Sequence, residues 1–165
     1  MTNEHLLTTL RARFGDDAFT DVEEPHGLLT LTFQRELTLE LMHFLKEGEL
    51  GFTFLTTMCG INYPNNLNRE LGMIYHLHNL VTNTRIRLKT FFPVLDPVMP
   101  TLTNLWATAN WMEREAYDFF GITFTGHPNL IRILNVEDMD YFPMRREYPL
   151  EDQTREDKTD SFFGR

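Results

Sequence analysis

The chain has 165 residues, a formal net charge of −9, 42% hydrophobic residues and one cysteine. A chain of this length supports a single domain that buries about 70% of its unfolded surface, and its acidity argues against binding to nucleic-acid phosphates or to an anionic membrane surface. The lone Cys59 excludes an intrachain disulfide and any cysteine cluster for iron–sulfur or structural zinc, and it points to a reducing compartment.

The opening MTNEHLLTTL lacks the basic and apolar regions of a secretory leader and the Arg-rich character of an organelle presequence. Residues 3–14 put Leu6, Leu7, Leu10 and Phe14 on one helical face, with Asn3 and Glu4 suited to the start and Gly15 to the stop. Residues 27–33 alternate, with Leu29, Leu31 and Phe33 on one side, and read as a strand. Residues 38–47 read as a helix capped by Thr38 and ended at Gly48. Residues 51–58 read as a second strand, closed by the turn-rich stretch that follows.

Residues 71–80 and 84–92 form a hairpin around Val81-Thr82-Asn83. In its second arm Arg85, Arg87 and Lys89 point one way and Ile86 and Leu88 the other. One face of the sheet is therefore apolar and the other basic, facing either water or a partner. Pro93, Pro97 and Pro100 make a stiff connector. Helical character resumes over 102–120 and stops at Gly121, and the rest to 149 is loop-rich with short apolar pieces. No apolar run nears the ~20 residues that span a bilayer, so membrane association is expected only through partners. The order of elements predicts an α+β fold over 1–149, a small mixed or antiparallel sheet with helices packed on one face. Residues 150–165 are predicted to be an extended charged tail. Its Phe162-Phe163 pair suits a docking anchor, and the 14 Phe, 5 Tyr and 2 Trp serve a core or an interface equally well.

There is no Gly-rich phosphate loop, GxSxG elbow, HExxH or CxxC. Four constellations remain. In Glu113-Arg114-Glu115-Ala116-Tyr117-Asp118 a helix makes Arg114 and Asp118 i,i+4 neighbours and Glu115 and Asp118 i,i+3 neighbours. Such carboxylates near a histidine can do acid–base work, although a charged helix face is more often solvated. His127, held between Gly126 and Pro128, can be a base, a ligand or a hydrogen-bonding strut. His76 and His78 share a strand face and can form a two-ligand metal arm, but with no third ligand evident no metal site is expected. Arg145 and Arg146, in a segment bounded by Pro143 and Pro149, suit carboxylates on another surface or the acidic neighbours at 137–140.

The run Trp111-Met112-Glu113-Arg114-Glu115-Ala116-Tyr117-Asp118-Phe119-Phe120-Gly121-Ile122, with Gly126-His127-Pro128 after it, resembles the signature of the respiratory complex I C-subunit family, the thirty-kilodalton subunit of NADH-quinone oxidoreductase. Tyr75-His76-Leu77, the strand from Arg85 to Lys89, Arg132-Ile133-Leu134 and Pro143 to Leu150 (with Arg145, Arg146 and Tyr148) extend the resemblance over the chain. Ile131 stands where the family often has a first basic residue, Asn62 where an aspartate is common, and Asp140-Tyr141-Phe142-Pro143 where it has a second Gly-His-Pro.

The resemblance implies a scaffold subunit of the peripheral arm, beside the larger D subunit and near iron–sulfur subunits. It implies no redox centre in this chain, while the whole complex carries FMN, iron–sulfur clusters, NADH and quinone. It implies a place on the cytoplasmic side of a bacterial inner membrane, reached through partner subunits. On this reading Glu113, Arg114, Glu115, Tyr117, Asp118, Gly121, His127, Pro128 and Arg132 form a structural or interface corner, with no catalytic residue. A related membrane-bound hydrogenase subunit shares part of the signature, and a stand-alone enzyme using Glu115, Asp118 and His127 is the remaining alternative.

Overall fold

The computed structural model describes residues 2–148. The tail 150–165, with Phe162 and Phe163, and residue Pro149 lie outside the described residues.

Helix α1, Asn3–Phe14, starts at Thr2, whose hydroxyl accepts the His5 N–H at 3.3 Å, and ends at Gly15 with φ 88°. The cap is one residue earlier than the sequence pattern suggests. Strand β1, Phe19–Glu23, pairs with β2, Leu29–Phe33. β1 is absent from the sequence expectation, because only Phe19 of its five residues is buried and an edge strand leaves little apolar alternation to read. Helix α2, Thr38–Glu47, has Leu37 at its N-cap position; the Thr38 hydroxyl donates instead to Arg35 O at 2.6 Å. Thr38 is thus the first helical residue and not the cap.

Strands β3 (Phe54–Asn62), β4 (Leu71–Asn79) and β5 (Thr84–Phe92) form an antiparallel meander. The expected strand at 51–58 is shifted toward the C-terminus, since Gly51 at φ 60° is a turn residue. The sheet order is β1-β2-β5-β4-β3, with β2 and β5 parallel and every other pair antiparallel, so the sheet is mixed as expected.

Register separates its two faces. Leu31 lies opposite Leu88, and Leu88 opposite Tyr75. These side chains, with Leu29, Phe33, Met73, Leu77 and Ile86, face α1 and α2, whose Leu6, Leu10, Leu41, Met42 and Leu45 are fully buried. On the reverse face Thr30 lies opposite Arg87, which lies opposite His76. Phe33 and Tyr75 touch across the core at 6.4 Å between ring centroids. Burial drives the Tyr75 hydroxyl well above the usual phenol range.

Helix α3, Ala109–Phe120, packs on β3. Gly60 makes room for it, because a Cβ there would sit 2.5 Å from the Phe120 ring. The helix begins seven residues later than the 102–120 expected. Lys46 Nζ donates to Leu105 O at 2.6 Å, the N–H groups of Leu105 and Trp106 both bond to Leu102 O, and the Trp106 indole donates to Thr53 O at 2.9 Å. These bonds hold 102–108 as turns over α2 and β3. The proline connector is not featureless, because β6, Val98–Pro100, runs parallel to β7, Thr123–Thr125.

Gly60→Val should overpack the β3–α3 contact and lower stability by about 1–3 kcal/mol. Urea unfolding of the full chain should show a lower midpoint, with a smaller loss for Gly60→Ala; an unchanged midpoint for both would contradict this packing.

Candidate functional site

The corner where α3 ends is organised by charge. Gly121 closes the helix in the left-handed region at φ 70°, donating its N–H to Tyr117 O at 2.8 Å. Its missing side chain also admits the ring of Phe142 and the guanidinium of Arg145, either of which a Cβ would strike. One turn earlier the fully buried Asp118 points toward the returning chain. Its Oδ2 accepts the N–H groups of Ile133, Leu134 and Asn135 at 3.1, 2.8 and 2.9 Å, and its Oδ1 accepts from the Asn135 amide and from Arg132 Nη1 at 2.7 Å. Burial alone would raise this carboxyl, but the Asn135 and Leu134 amides and the Arg132 guanidinium outweigh it and hold it well below the usual carboxylate range.

Arg132 reaches further. Nη1 also donates to Asp118 O, and Nη2 donates to Met139 O at 2.6 Å and Tyr141 O at 3.0 Å. Arg145 Nε donates to Phe120 O at 2.7 Å and its Nη1 lies 3.6 Å from Glu147. Both guanidiniums lie over the Phe142 ring, at 5.2 and 4.7 Å, and Tyr117 meets that ring edge-on at 6.4 Å. Arg145 is thus engaged within this corner, and the ion pairs considered with residues 137–140 do not form among the described residues. Among the described residues Arg146 gives only its backbone N–H, to Asn62 Oδ1, and its side chain is exposed. Tyr148 packs against Tyr141 at 5.3 Å.

The other charges of α3 serve different neighbours. Arg114 does not pair with Asp118. It donates to Ile131 O and Arg132 O at 3.1 and 3.0 Å and lies over Trp111. Glu113 is fully buried and accepts the Thr101 hydroxyl and the Leu102 N–H, both at 2.6 Å. Burial pushes its carboxyl up to about 7, partly offset by those two donors. Glu115 is exposed and has no hydrogen bond or ion pair among the described residues.

His127 follows Gly126, at φ 85°, and precedes Pro128. Its Nδ1 accepts the Asn129 N–H at 3.0 Å, so Nε2 is the nitrogen that donates to Asn110 O at 3.2 Å. Asn110 and Asp118 stand at opposite ends of α3, about 12 Å apart along its axis. His127 is therefore held away from Asp118 and does not join it for proton transfer, and both its ring nitrogens are hydrogen-bonded to backbone groups. His76 accepts from Arg87 Nε at 2.8 Å and His78 bonds Asn83 at 3.0 Å. Among the described residues no group of three His, Cys, Asp or Glu is placed to hold a metal ion.

Thr101, at Glu113, and Asn135 and Phe142, at the corner, take part in these contacts, and the spacing of the sequence assigns none of them such a role. Their roles depend on a chain return that no local spacing encodes.

Residues 31–154 match the family described as respiratory-chain NADH dehydrogenase, 30 Kd subunit. The NADH-quinone oxidoreductase C subunit of Citrifermentans bemidjiense is 38% identical over 154 residues, covering 93% of this chain and 94% of that protein. Its counterpart in Geobacter sulfurreducens is 34% identical with the same coverage. Among solved structures, Nqo5 of a trypsin-resistant fragment superposes with a TM-score of 0.68 at 34% identity, over 79% of this chain and all of that one. A chain of the membrane-bound sulfane sulfur reductase, an archaeal respiratory membrane complex, superposes with a TM-score of 0.75 over 89% of this chain and 85% of that one. At 20% identity that likeness concerns the fold alone.

Asp118→Asn turns an NH₂ group toward backbone N–H donors and leaves Arg132 without its counter-charge, which should cost about 3–5 kcal/mol. Because the folded carboxyl titrates below its ordinary 3.8, its contribution is present above that value and fades as pH falls beneath it. Urea titrations of the full chain at pH 3 and pH 7 should therefore show a larger loss for the variant at pH 7. Glu113 behaves oppositely. Its folded value of about 7 lies above the ordinary 4.5, so stability declines as pH rises through that window. Glu113→Gln should gain on the parent between pH 5 and pH 8; a constant difference across that range would contradict a buried, proton-holding Glu113.

Proposed function

Because the chain belongs to the family of the 30 kDa subunit of respiratory-chain NADH dehydrogenase, we propose that it is a structural subunit, without a redox centre of its own, in the peripheral quinone-reducing arm of a proton-translocating NADH:quinone oxidoreductase. In this reading it packs beside the larger D subunit near the iron–sulfur subunits and supports electron transfer from NADH to quinone, while FMN, the clusters and the quinone site belong to its partners. It sits on the cytoplasmic side of a bacterial inner membrane and meets the membrane only through those partners. Among the described residues no helix is long and apolar enough to cross a membrane.

The observation that carries this reading is how the corner uses its charges. Asp118 accepts from five donors, Arg132 donates to four acceptors, and both ring nitrogens of His127 are engaged. Groups so occupied within the chain support a structural role over one in binding a substrate. Beside them Trp111, Leu134, Val136 and Met144 are 53–66% exposed, the kind of apolar surface that another protein shields in an assembly. A second reading, a subunit of a related membrane-bound hydrogenase-type complex, rests on the part of the α3 signature that such subunits share.

Pull-down of the tagged full chain from gently solubilised native membranes, followed by mass spectrometry, should recover the D subunit with iron–sulfur and NADH-binding subunits. Hydrogenase subunits without an NADH-binding partner would select the second reading, and a chain recovered alone would overturn both. Arg146→Ala, which removes an exposed guanidinium, should lower recovery of the D subunit about tenfold while the urea midpoint of the chain stays put.

A further inference from the structure

The face of the sheet turned away from the helices carries a row of cations on a chain whose overall charge is −9. Arg85, Arg87 and Lys89 stand at alternate positions of β5, and His78 and His76 lie opposite the first two on β4. Lys89 is met by Glu23 at 3.8 Å, and Arg87 Nε is turned to His76. Arg85 is exposed, and neither arginine has an ion pair among the described residues. The row ends at an open hollow of about 510 Å³ bordered by Gly27, Asn83, Arg85 and Arg87.

We propose that this face is a docking surface for an extended acidic segment of a neighbouring protein in the assembly, with carboxylates of that segment paired to Arg85 and Arg87. Residues two apart on a strand lie about 7 Å apart on the same side. An extended peptide with acids at alternate positions presents carboxylates at that same spacing. A guanidinium fork binds a carboxylate through two parallel hydrogen bonds; the whole fork of Arg85 is exposed, and Arg87, whose Nε is given to His76, has its two Nη groups for a carboxylate. The like charges of the row would repel one another until such a segment neutralises them, and no acid of the described chain pairs with either arginine. Protein is favoured over lipid as the occupant because a flat sheet with a polar, pleated surface offers carboxylates a regular register but offers acyl chains no apolar insertion.

The proposal rests on the reading of this chain as part of a larger assembly, and the test separates the two. A photo-crosslinking residue is placed at position 85 of the full chain, and a second at position 111, beside the α3 corner; both are irradiated in native membranes and the adducts sequenced. The expected result at 85 is a peptide of a co-purifying protein with at least two Asp or Glu at alternate positions. Arg85→Glu should then reduce recovery of that protein about tenfold, Arg85→Gln less, and reversal of the mapped acid to Arg should restore it. An adduct at 111 with none at 85 leaves the assembly reading standing and overturns this proposal. So does an adduct at 85 to lipid, to an acid-free peptide or to this chain's own residues 149–165. No adduct at either position, with the chain purifying alone, overturns the assembly reading and this proposal together.

Discussion

The architecture around α3 depends on one buried carboxylate. Asp118 is a fully buried charge, and such a group is tolerated only when its lone pairs are filled and its charge is answered. Three successive backbone amides, a side-chain amide and a guanidinium do both. The amides of 133–135 can converge on one oxygen only if the chain bends around it, so the carboxylate dictates the path of a segment that has no secondary structure of its own. Arg132 then spreads the positive end of the pair over Met139 and Tyr141 carbonyls. What begins as an ion pair ends as the frame of a strap from residue 131 to 148.

The same corner shows how a charged motif on a helix can be read in two ways. Glu113, Arg114, Glu115 and Asp118 sit within six residues, yet each faces a different environment: a threonine hydroxyl, two carbonyls of the strap, solvent, and an amide nest. Acid–base chemistry needs groups that share a space. Here helical rotation sends them apart, and the raised carboxyl of Glu113, at about 7, follows from burial and not from a neighbouring reactive group.

Much of the fold is legible in the sequence for one reason. Where an element buries one side and exposes the other, its period is written in the chain, as in Leu6 and Leu10 of α1 or Ile86 and Leu88 against Arg85 and Arg87 of β5. Elements that lack this asymmetry are hidden or misplaced: β1, which buries only Phe19, and the turns at 102–108, whose apolar residues mimic a helix until Lys46 takes the Leu105 carbonyl. The corner is legible in its residues and not in its pairings. Arg114 and Asp118 are helical neighbours, but each finds a better partner on the strap, and contacts between positions so distant in sequence leave no local trace.

The parallel junction of β2 with β5 has a consequence in time. Strands β3, β4 and β5 are joined by short turns and can zip up from local contacts, whereas β2 waits for a partner more than fifty residues downstream. Closing so long a loop is slow compared with forming a hairpin. During synthesis, then, α1, β1, β2 and α2 leave the ribosome as a half without its other half, their apolar side chains Leu29, Leu31 and Phe33 uncovered until the meander is complete. The middle of this sheet is where the early and late parts of the chain meet, and the N-terminal third is the part most in need of protection from aggregation while it waits.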